Sequence, residues 1–236
     1  MAPTLDGGSA SGTPTSTTAL PTTQEIISIS QQQMADDAGV MFPPDELVPY
    51  VNLAIAEIIR VDPRAYPVTK DVSLVPGARQ PLTNEELAIL DVICNVSANG
   101  TIGPAPTILP RSSLDTLLPD WQSFTAQKTV VNVIRDAIDK YTFYVFPPQP
   151  VSTDQKLKMI LSELPDPIEN VDDDFPLDDS YKLPCIDYVI YLALHEETTV
   201  PNALVKANQS LVSFYRKMGV QPPEAGAKAQ EQGGQQ

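Results

Sequence analysis

The class of the fold is decided by the stretch KLKMILS at residues 156–162. Leu157, Met159 and Leu161 occupy every second position and so face one way, whereas Lys156, Lys158 and Ser162 face the other. A period of two residues is that of a β-strand with one buried face. The middle of the chain is therefore predicted to form a sheet.

Similar segments recur between residues 68 and 163, which we predict as the β region. Further strands are expected at residues 71–74, 130–134 and 141–146. Residues 87–96 fit two structures, because the polar residues before them are typical of a helix start, whereas Val92, Ile93 and Val96 favour a buried strand. The glycines that follow also favour the strand, and we interpret residues 87–96 as a strand.

A short helix is predicted inside the β region. Leu114, Leu117 and Leu118 have the spacing of one or two helical turns, and Pro119 stops them. Trp121 is expected to pack beside this helix.

Two longer helices are predicted before the β region, over residues 23–38 and 45–61. Thr22 and Glu25 have the spacing of a capping box at the start of the first helix. Gly39 is expected to end it, since glycine readily takes the left-handed backbone found at helix ends. In the second helix, apolar residues recur every three or four positions, as in an amphipathic helix.

Two more helices are predicted after the β region, over residues 184–197 and 201–218, and Gly219 is the expected cap of the last one. The buried face of that last helix is predicted to consist of Leu204, Ala207, Leu211, Phe214 and Met218. The predicted fold class is therefore α+β. In it, the N- and C-terminal helix pairs form a four-helix bundle, with a small antiparallel β-sheet or barrel inserted in the middle.

One folded domain is predicted, over residues 22–219, with an extended segment at each end. Residues 1–21, a flexible N-terminal arm, are mostly Thr, Ser, Gly, Ala and Pro, and residues 220–236, an extended C-terminal tail, are rich in Gln, Gly, Ala and Pro. Such compositions bury too little apolar surface to fold alone. Within the domain, residues 163–180 are predicted as an acidic loop.

The charge balance excludes some classes of partner. The 30 acidic residues outnumber the 15 basic ones, which gives a formal net charge of −15. This charge argues against binding a nucleic-acid backbone, which needs clustered Lys and Arg, and against an anionic membrane surface. No apolar run approaches the length of a membrane span, and the N-terminus lacks the regions of a signal peptide.

No catalytic, cofactor or metal site is predicted, and the chain is not expected to be an enzyme. His195 is the only histidine, which removes most His-dependent triads and multi-histidine metal sites. Phosphate-binding glycine loops do not occur in the sequence. Cys94 and Cys185 are interpreted as two buried free thiols, which fit a reducing cytoplasm, with a disulfide as the alternative.

An acidic run stands out between residues 163 and 179, and its members are Glu163, Asp166, Glu169, Asp172, Asp173, Asp174, Asp178 and Asp179. Three interpretations stay open. The run is a solvated loop, a calcium site that uses Asp172, Asp174 and Asp178, or a surface that repels DNA phosphates. The spacing is not that of an EF-hand loop, and its central glycine is missing.

Three parts of the chain together resemble the phage adaptor proteins, also called head-to-tail connectors. These are EIIRVDPRAY at residues 57–66 with VPGARQ at 75–80, YTFYVFPPQP at 141–150, and the helix start at 183–194. The resemblance covers residues 24–219, and the layout is similar to that of tail tubular protein A of short-tailed phages. Its motifs are packing and turn patterns, not catalytic signatures.

The resemblance implies a structural virion protein of the phage neck, assembled in the host cytoplasm. It implies a homo-oligomeric ring, expected to hold twelve copies, that joins the portal protein to a tail tube or nozzle protein, with tail fibres as a further candidate partner. Packaged DNA would pass through the ring without sequence-specific binding. The alternative is a monomeric acidic binding module or assembly chaperone.

Two groups of residues are the candidate functional sites. The first is the start of the C-terminal tail, expected to dock on the portal protein, and it consists of Val220, Gln221, Pro222 and Pro223. The second is a set of acids expected to face the DNA channel, and it consists of Asp172, Asp173 and Asp174. The extra N-terminal arm and the acidic run depart from plainer members of the family, so their contacts do not follow from the resemblance.

Overall fold

The computed structural model describes residues 21–83, 86–135, 139, 141–152, 154–197 and 201–222. Residues 1–20 of the predicted arm and 223–236 of the predicted tail lie outside the described residues. Within the described ranges, no helix is both long enough and apolar enough to cross a membrane.

Five α-helices occur in the described part of the chain. They are α1 (Thr23–Met34), α2 (Pro44–Val61), α3 (Arg111–Leu117), α4 (Lys182–His195) and α5 (Ala203–Lys217). Helices α1, α2, α4 and α5 share one hydrophobic core, in which α4 contacts the other three. Members with 0% exposure include Ile26, Val51, Ile58, Val189, Ala207 and Phe214. These residues recur at helical spacing, so each helix buries one face.

Helix α1 begins as predicted and ends early. The hydroxyl of Thr22 accepts the backbone N–H of Glu25 at 3.3 Å, which confirms the N-terminal cap. The predicted continuation of the helix to Gly39 is wrong, because Ala35 already takes the left-handed conformation with a φ of 62°. The carboxylate of Asp36 accepts backbone N–H groups in the following turn, and Gly39 lies within that turn.

Seven strands occur in the described residues and form two sheets. They are β1 (Pro67–Ser73), β2 (Gly77–Pro81), β3 (Glu86–Val96), β4 (Thr107–Pro110), β5 (Asn132–Arg135), β6 (Thr142–Gln149) and β7 (Lys156–Glu163). The first sheet is antiparallel with the order β1-β7-β3. The second has the order β2-β6-β5-β4, in which β4 and β5 are parallel and the other pairs antiparallel.

Strand β7 lies at the centre of the first sheet and contributes one wall of the core between the sheets. Its side chains Leu157, Met159 and Leu161 are 0% exposed. They share a hydrophobic core with Phe143 and Val145 of β6, in the second sheet. The strand predicted from the alternating pattern is therefore confirmed, and its apolar side faces the other sheet.

Strand β3 is irregular, since its eleven residues lie beside the eight residues of β7. The register shifts three times, and the residues left without a partner are Leu87, Leu90 and Ile93. Each extra residue makes a β-bulge, which bends the strand and increases its twist. The bulges interrupt the period of two along the segment, and the strand interpretation is confirmed.

A cap formed by residues 111–124 covers the outer face of the second sheet. It contains α3 and the turn with Trp121, whose side chain is 0% exposed. The indole ring meets the ring of Tyr144 edge to face at 5.7 Å, and its Nε1–H donates to Asp115 Oδ1 at 2.8 Å. The buried Leu114 belongs to the same cluster, so Trp121 packs beside the short helix as predicted.

The predicted arrangement, a four-helix bundle with one small antiparallel sheet or barrel inserted in it, is wrong. The fold is α+β, but the described residues form five helices and two sheets that are spread along the chain. Strand β4 has only four residues, which is too short for an alternating pattern to be recognised. The strands predicted at residues 130–134 and 141–146 overlap β5 and β6, whereas β2, β4 and the division into two sheets were not predicted.

Candidate assembly surfaces

The acidic segment, residues 164–178, connects β7 to the turn before α4 and is fixed to the helical core. Ile168, Phe175 and Leu177 belong to that core and are 6%, 0% and 1% exposed. The N–H of Phe175 donates to the carbonyl of Pro21 at 3.0 Å. Buried apolar side chains therefore hold the segment in place while its acids remain at the surface.

The three acids predicted to face the channel have different environments. Asp172 and Asp174 are exposed. Asp173 is half-buried, and its Oδ2 accepts the backbone N–H groups of Glu169 at 3.1 Å and Asn170 at 2.9 Å. Asp173 thus closes a turn, whereas Asp172 and Asp174 present their charge outward. Their orientation toward a channel stays a prediction.

Other members of the acidic run have local partners. Glu163 lies in β7, and its Oε1 is 2.6 Å from Nζ of Lys70 in β1. Asp178 accepts the N–H of Ser180 at 3.0 Å in the turn that precedes α4. Within the described ranges, no cluster of three or more His, Cys, Asp or Glu side chains is placed to hold a metal ion.

The first candidate surface is a groove between the N-terminal half of α2 and the acidic segment, called here the α2 groove. Its lining residues are Asp45, Val48, Pro49, Asn52, Leu53, Ile168 and Glu169. The side chain of Asn52 donates to the carbonyl of Ile168 and accepts its N–H, each at 2.9 Å, which fixes the two walls. Leu53 is 53% exposed, and the carboxylates of Asp45 and Glu169 stand at the rim.

The second candidate surface lies on the outward side of α5 and is called here the α5 stripe. It consists of Val205, Asn208, Gln209, Val212, Ser213 and Arg216. Val205 and Val212 are 55% and 38% exposed, and a separation of seven residues places them on one line of the helix. Arg216 continues that line and makes no ion pair within the described part of the chain.

The buried face of α5 agrees only in part with the predicted one, since Ala207 and Phe214 are buried and Leu211 and Met218 are partly buried. Leu204 is 55% exposed, so its predicted place in the core is wrong. Ala203, Ala207 and Phe214 are buried, and Tyr215 is buried beside them. Helix α5 packs on α4, where the ring of Phe214 lies 4.9 Å from that of Tyr188, and Leu204 is left outside the core.

Two polar links fix the rotation of α5. The carboxylate of Glu57 in α2 accepts the Tyr215 hydroxyl at 3.0 Å and Nε–H of Arg60 at 2.7 Å. The Arg60 hydrogen bond holds the pKa of Glu57 below its ordinary value, although burial acts in the opposite direction. Asp187 of α4 is buried and pairs with Lys217 at 2.7 Å. The α5 stripe is therefore held away from the core.

The predicted tail starts from a defined helix end. Gly219 has a φ of 72°, and its N–H donates to the carbonyl of Arg216 at 3.1 Å. The N–H of Val220 donates to the carbonyl of Tyr215 at 3.0 Å, which completes a Schellman motif and confirms the predicted cap. Val220 and Gln221 are exposed, Pro222 is half-buried, and Pro223 lies outside the described residues.

The lone histidine and the two cysteines are not among the residues that line the α2 groove or the α5 stripe. His195 is exposed at the end of α4, with its ring 5.3 Å from that of Tyr191. Cys94 and Cys185 are buried and unpaired with each other, which confirms the prediction of free thiols. Burial raises the pKa of the Cys185 thiol, so this side chain stays protonated and unreactive.

Neither the α2 groove nor the α5 stripe was predicted from the sequence. The available signal was weak: Leu53, Val205 and Val212 are apolar residues at positions opposite the buried faces of their helices. Single exposed apolar residues are common on protein surfaces, whereas several on one line indicate contact with another molecule.

Comparison with models of protein families gives a match to the one described as SU10 adaptor protein, over residues 21–231 of the 236. The match therefore begins before α1 and includes the helical core, both sheets and the start of the tail. No curated protein matches the chain.

Proposed function

We propose the following function for the chain, which belongs to the SU10 adaptor protein family, a family of phage head-to-tail adaptors. The protein is a structural component of the virion that forms a ring beneath the portal protein and joins it to the tail. The ring holds twelve copies, continues the DNA channel and performs no covalent chemistry. The observation that carries this proposal is the family match over residues 21–231.

The charge of the chain suits a channel through which DNA must slide. With a net charge of −15, the surface repels a phosphate backbone instead of binding it. The exposed Asp172 and Asp174 belong to a segment held rigidly by Phe175, so they can keep a fixed position in the ring. We place them at the channel wall, and an assembled ring with these acids turned away from the lumen would contradict that placement.

Sedimentation velocity with and without portal protein tests the proposed function. We expect the chain to co-sediment with the portal protein as a complex that contains many copies, because each portal subunit offers a docking site. A chain that remains a monomer in the presence of portal protein would instead favour a monomeric acidic binding module or assembly chaperone.

The C-terminal tail is proposed to reach the portal protein. Val220 and Gln221 leave α5 in a direction set by the Schellman motif, and an extended segment can gain contact area along a neighbouring subunit. Deletion of residues 220–236 is therefore expected to abolish retention of the chain by immobilised portal protein.

The control for this deletion is the thermal unfolding of the truncated chain, measured by circular dichroism. Among the hydrogen bonds of the described residues, the deletion removes only the one donated by the Val220 N–H. The midpoint of thermal unfolding should therefore stay close to that of the full chain. Retention of the folded, truncated chain at the full level would show that the tail does not dock.

A further inference from the structure

A ring of identical copies needs two different surfaces on each copy that fit each other. Contacts of this kind are heterologous: one surface of each subunit meets a second surface of the next. Because every copy carries a net charge of −15, two copies repel each other on average. A contact that brings a local cation to a local group of acids offsets this repulsion.

The α5 stripe has the composition of one such surface. Val205 and Val212 offer apolar area, and Arg216 adds a charge without an internal partner in the described residues. The neighbouring Lys217 is already paired with Asp187, so Arg216 is the cation that this end of the helix presents outward. An arginine beside apolar side chains is a frequent combination at protein interfaces.

The α2 groove has the complementary composition. Val48, Pro49 and Leu53 provide an apolar floor, and the acids at its rim are Asp45 and Glu169. The paired hydrogen bonds between Asn52 and Ile168 hold the groove open in a fixed shape. Binding to a fixed groove costs little ordering of the receiving side.

The two surfaces are separate within one copy. Helix α4 packs against both α2 and α5, and the groove is lined by α2 with residues 168–169, whereas the stripe is lined by α5 alone. Glu57 and Tyr215 connect the later parts of α2 and α5, so the rotation of both helices is fixed. The stripe of one copy thus remains available to the groove of another.

We propose that the α5 stripe of one copy docks in the α2 groove of the next copy, with Arg216 placed between Asp45 and Glu169. This inference rests on the proposed ring and names the contact between its subunits. The apolar residues supply the buried area, and the arginine with its two carboxylates sets the direction and the register of the contact.

Charge reversal tests the contact. Arg216→Glu and Glu169→Arg are each expected to raise the protein concentration needed for ring formation on portal protein by about tenfold or more. The double variant restores the pair with its charges exchanged and is expected to assemble at a concentration near that of the unaltered chain. Lys206→Glu is the matched control, because it makes the same change of charge on an exposed position of α5 outside the stripe.

The possible outcomes distinguish a failure of the proposed contact from a failure of the proposed ring. If the unaltered chain forms rings and Arg216→Glu forms them equally well, or if the double variant is no better than the single ones, the proposed contact is wrong and the ring stands. If the unaltered chain forms no ring on portal protein, both fail. Circular dichroism of each variant verifies that the exposed substitutions leave the fold unchanged.

Discussion

Replacement of Phe175 by alanine is expected to lower the free energy of unfolding by about 3–5 kcal/mol. The side chain is 0% exposed and lies in the core formed by α1, α2, α4 and α5. Its removal leaves a cavity and frees the acidic segment that it anchors. Urea denaturation followed by circular dichroism measures the change, with the slope of the transition as a check on two-state behaviour.

Two control variants separate the effect of the buried Phe175 side chain on stability from the effect of charge in the acidic segment. Phe175→Leu keeps most of the apolar volume and should cost clearly less than the alanine change. Asp172→Asn removes an exposed charge from the same segment and should change stability by no more than about 0.5 kcal/mol. A loss below about 1 kcal/mol for Phe175→Ala would show that the acidic segment is not held by this side chain.

Replacement of Trp121 by alanine is expected to cost a similar amount, about 3–5 kcal/mol. The indole is 0% exposed, packs edge to face on Tyr144 and donates to Asp115. Without it, the cap loses its largest contact with the second sheet. Intrinsic fluorescence cannot follow this variant, since Trp121 is the single tryptophan, so far-ultraviolet circular dichroism during urea denaturation is the measurement.

Trp121→Phe is the matched control for the cap. It keeps an aromatic ring against Tyr144 but lacks the N–H that donates to Asp115, and it should therefore cost less than the alanine change. Equal losses for the two variants would indicate that the hydrogen bond, not ring packing, holds the cap. Stability close to that of the unaltered chain for Trp121→Ala would contradict the role of the cap altogether.

Local sequence patterns were sufficient to identify a helix or strand where one face of that element is buried regularly. The alternation of residues 156–162 identified β7, and the spacing of Thr22 and Glu25 identified the start of α1. In β3 the same kind of information was ambiguous, because the polar residues before it are typical of a helix start and bulges at Leu87, Leu90 and Ile93 interrupt the period of two. The end of α1 depended on Ala35, a residue that seldom takes a left-handed backbone.

The rest of the fold depends on contacts between distant parts of the chain. Strand β4 is defined by its parallel pairing with β5 and is too short to have a pattern of its own. The anchoring of the acidic run by Phe175 was equally hidden, because a single aromatic residue among acids gives no sign of the core that receives it. For the same reason the α2 groove and the α5 stripe emerged only once the orientation of both helices was known.

Single-particle imaging of the purified chain mixed with portal protein shows whether the chain forms a ring on the portal. We predict a closed ring of this chain, coaxial with the portal protein, whose central opening continues the portal channel, with Asp172 and Asp174 at the channel wall. Portal particles that remain bare while the chain stays monomeric, or copies attached singly around the outside of the portal, would contradict the adaptor function.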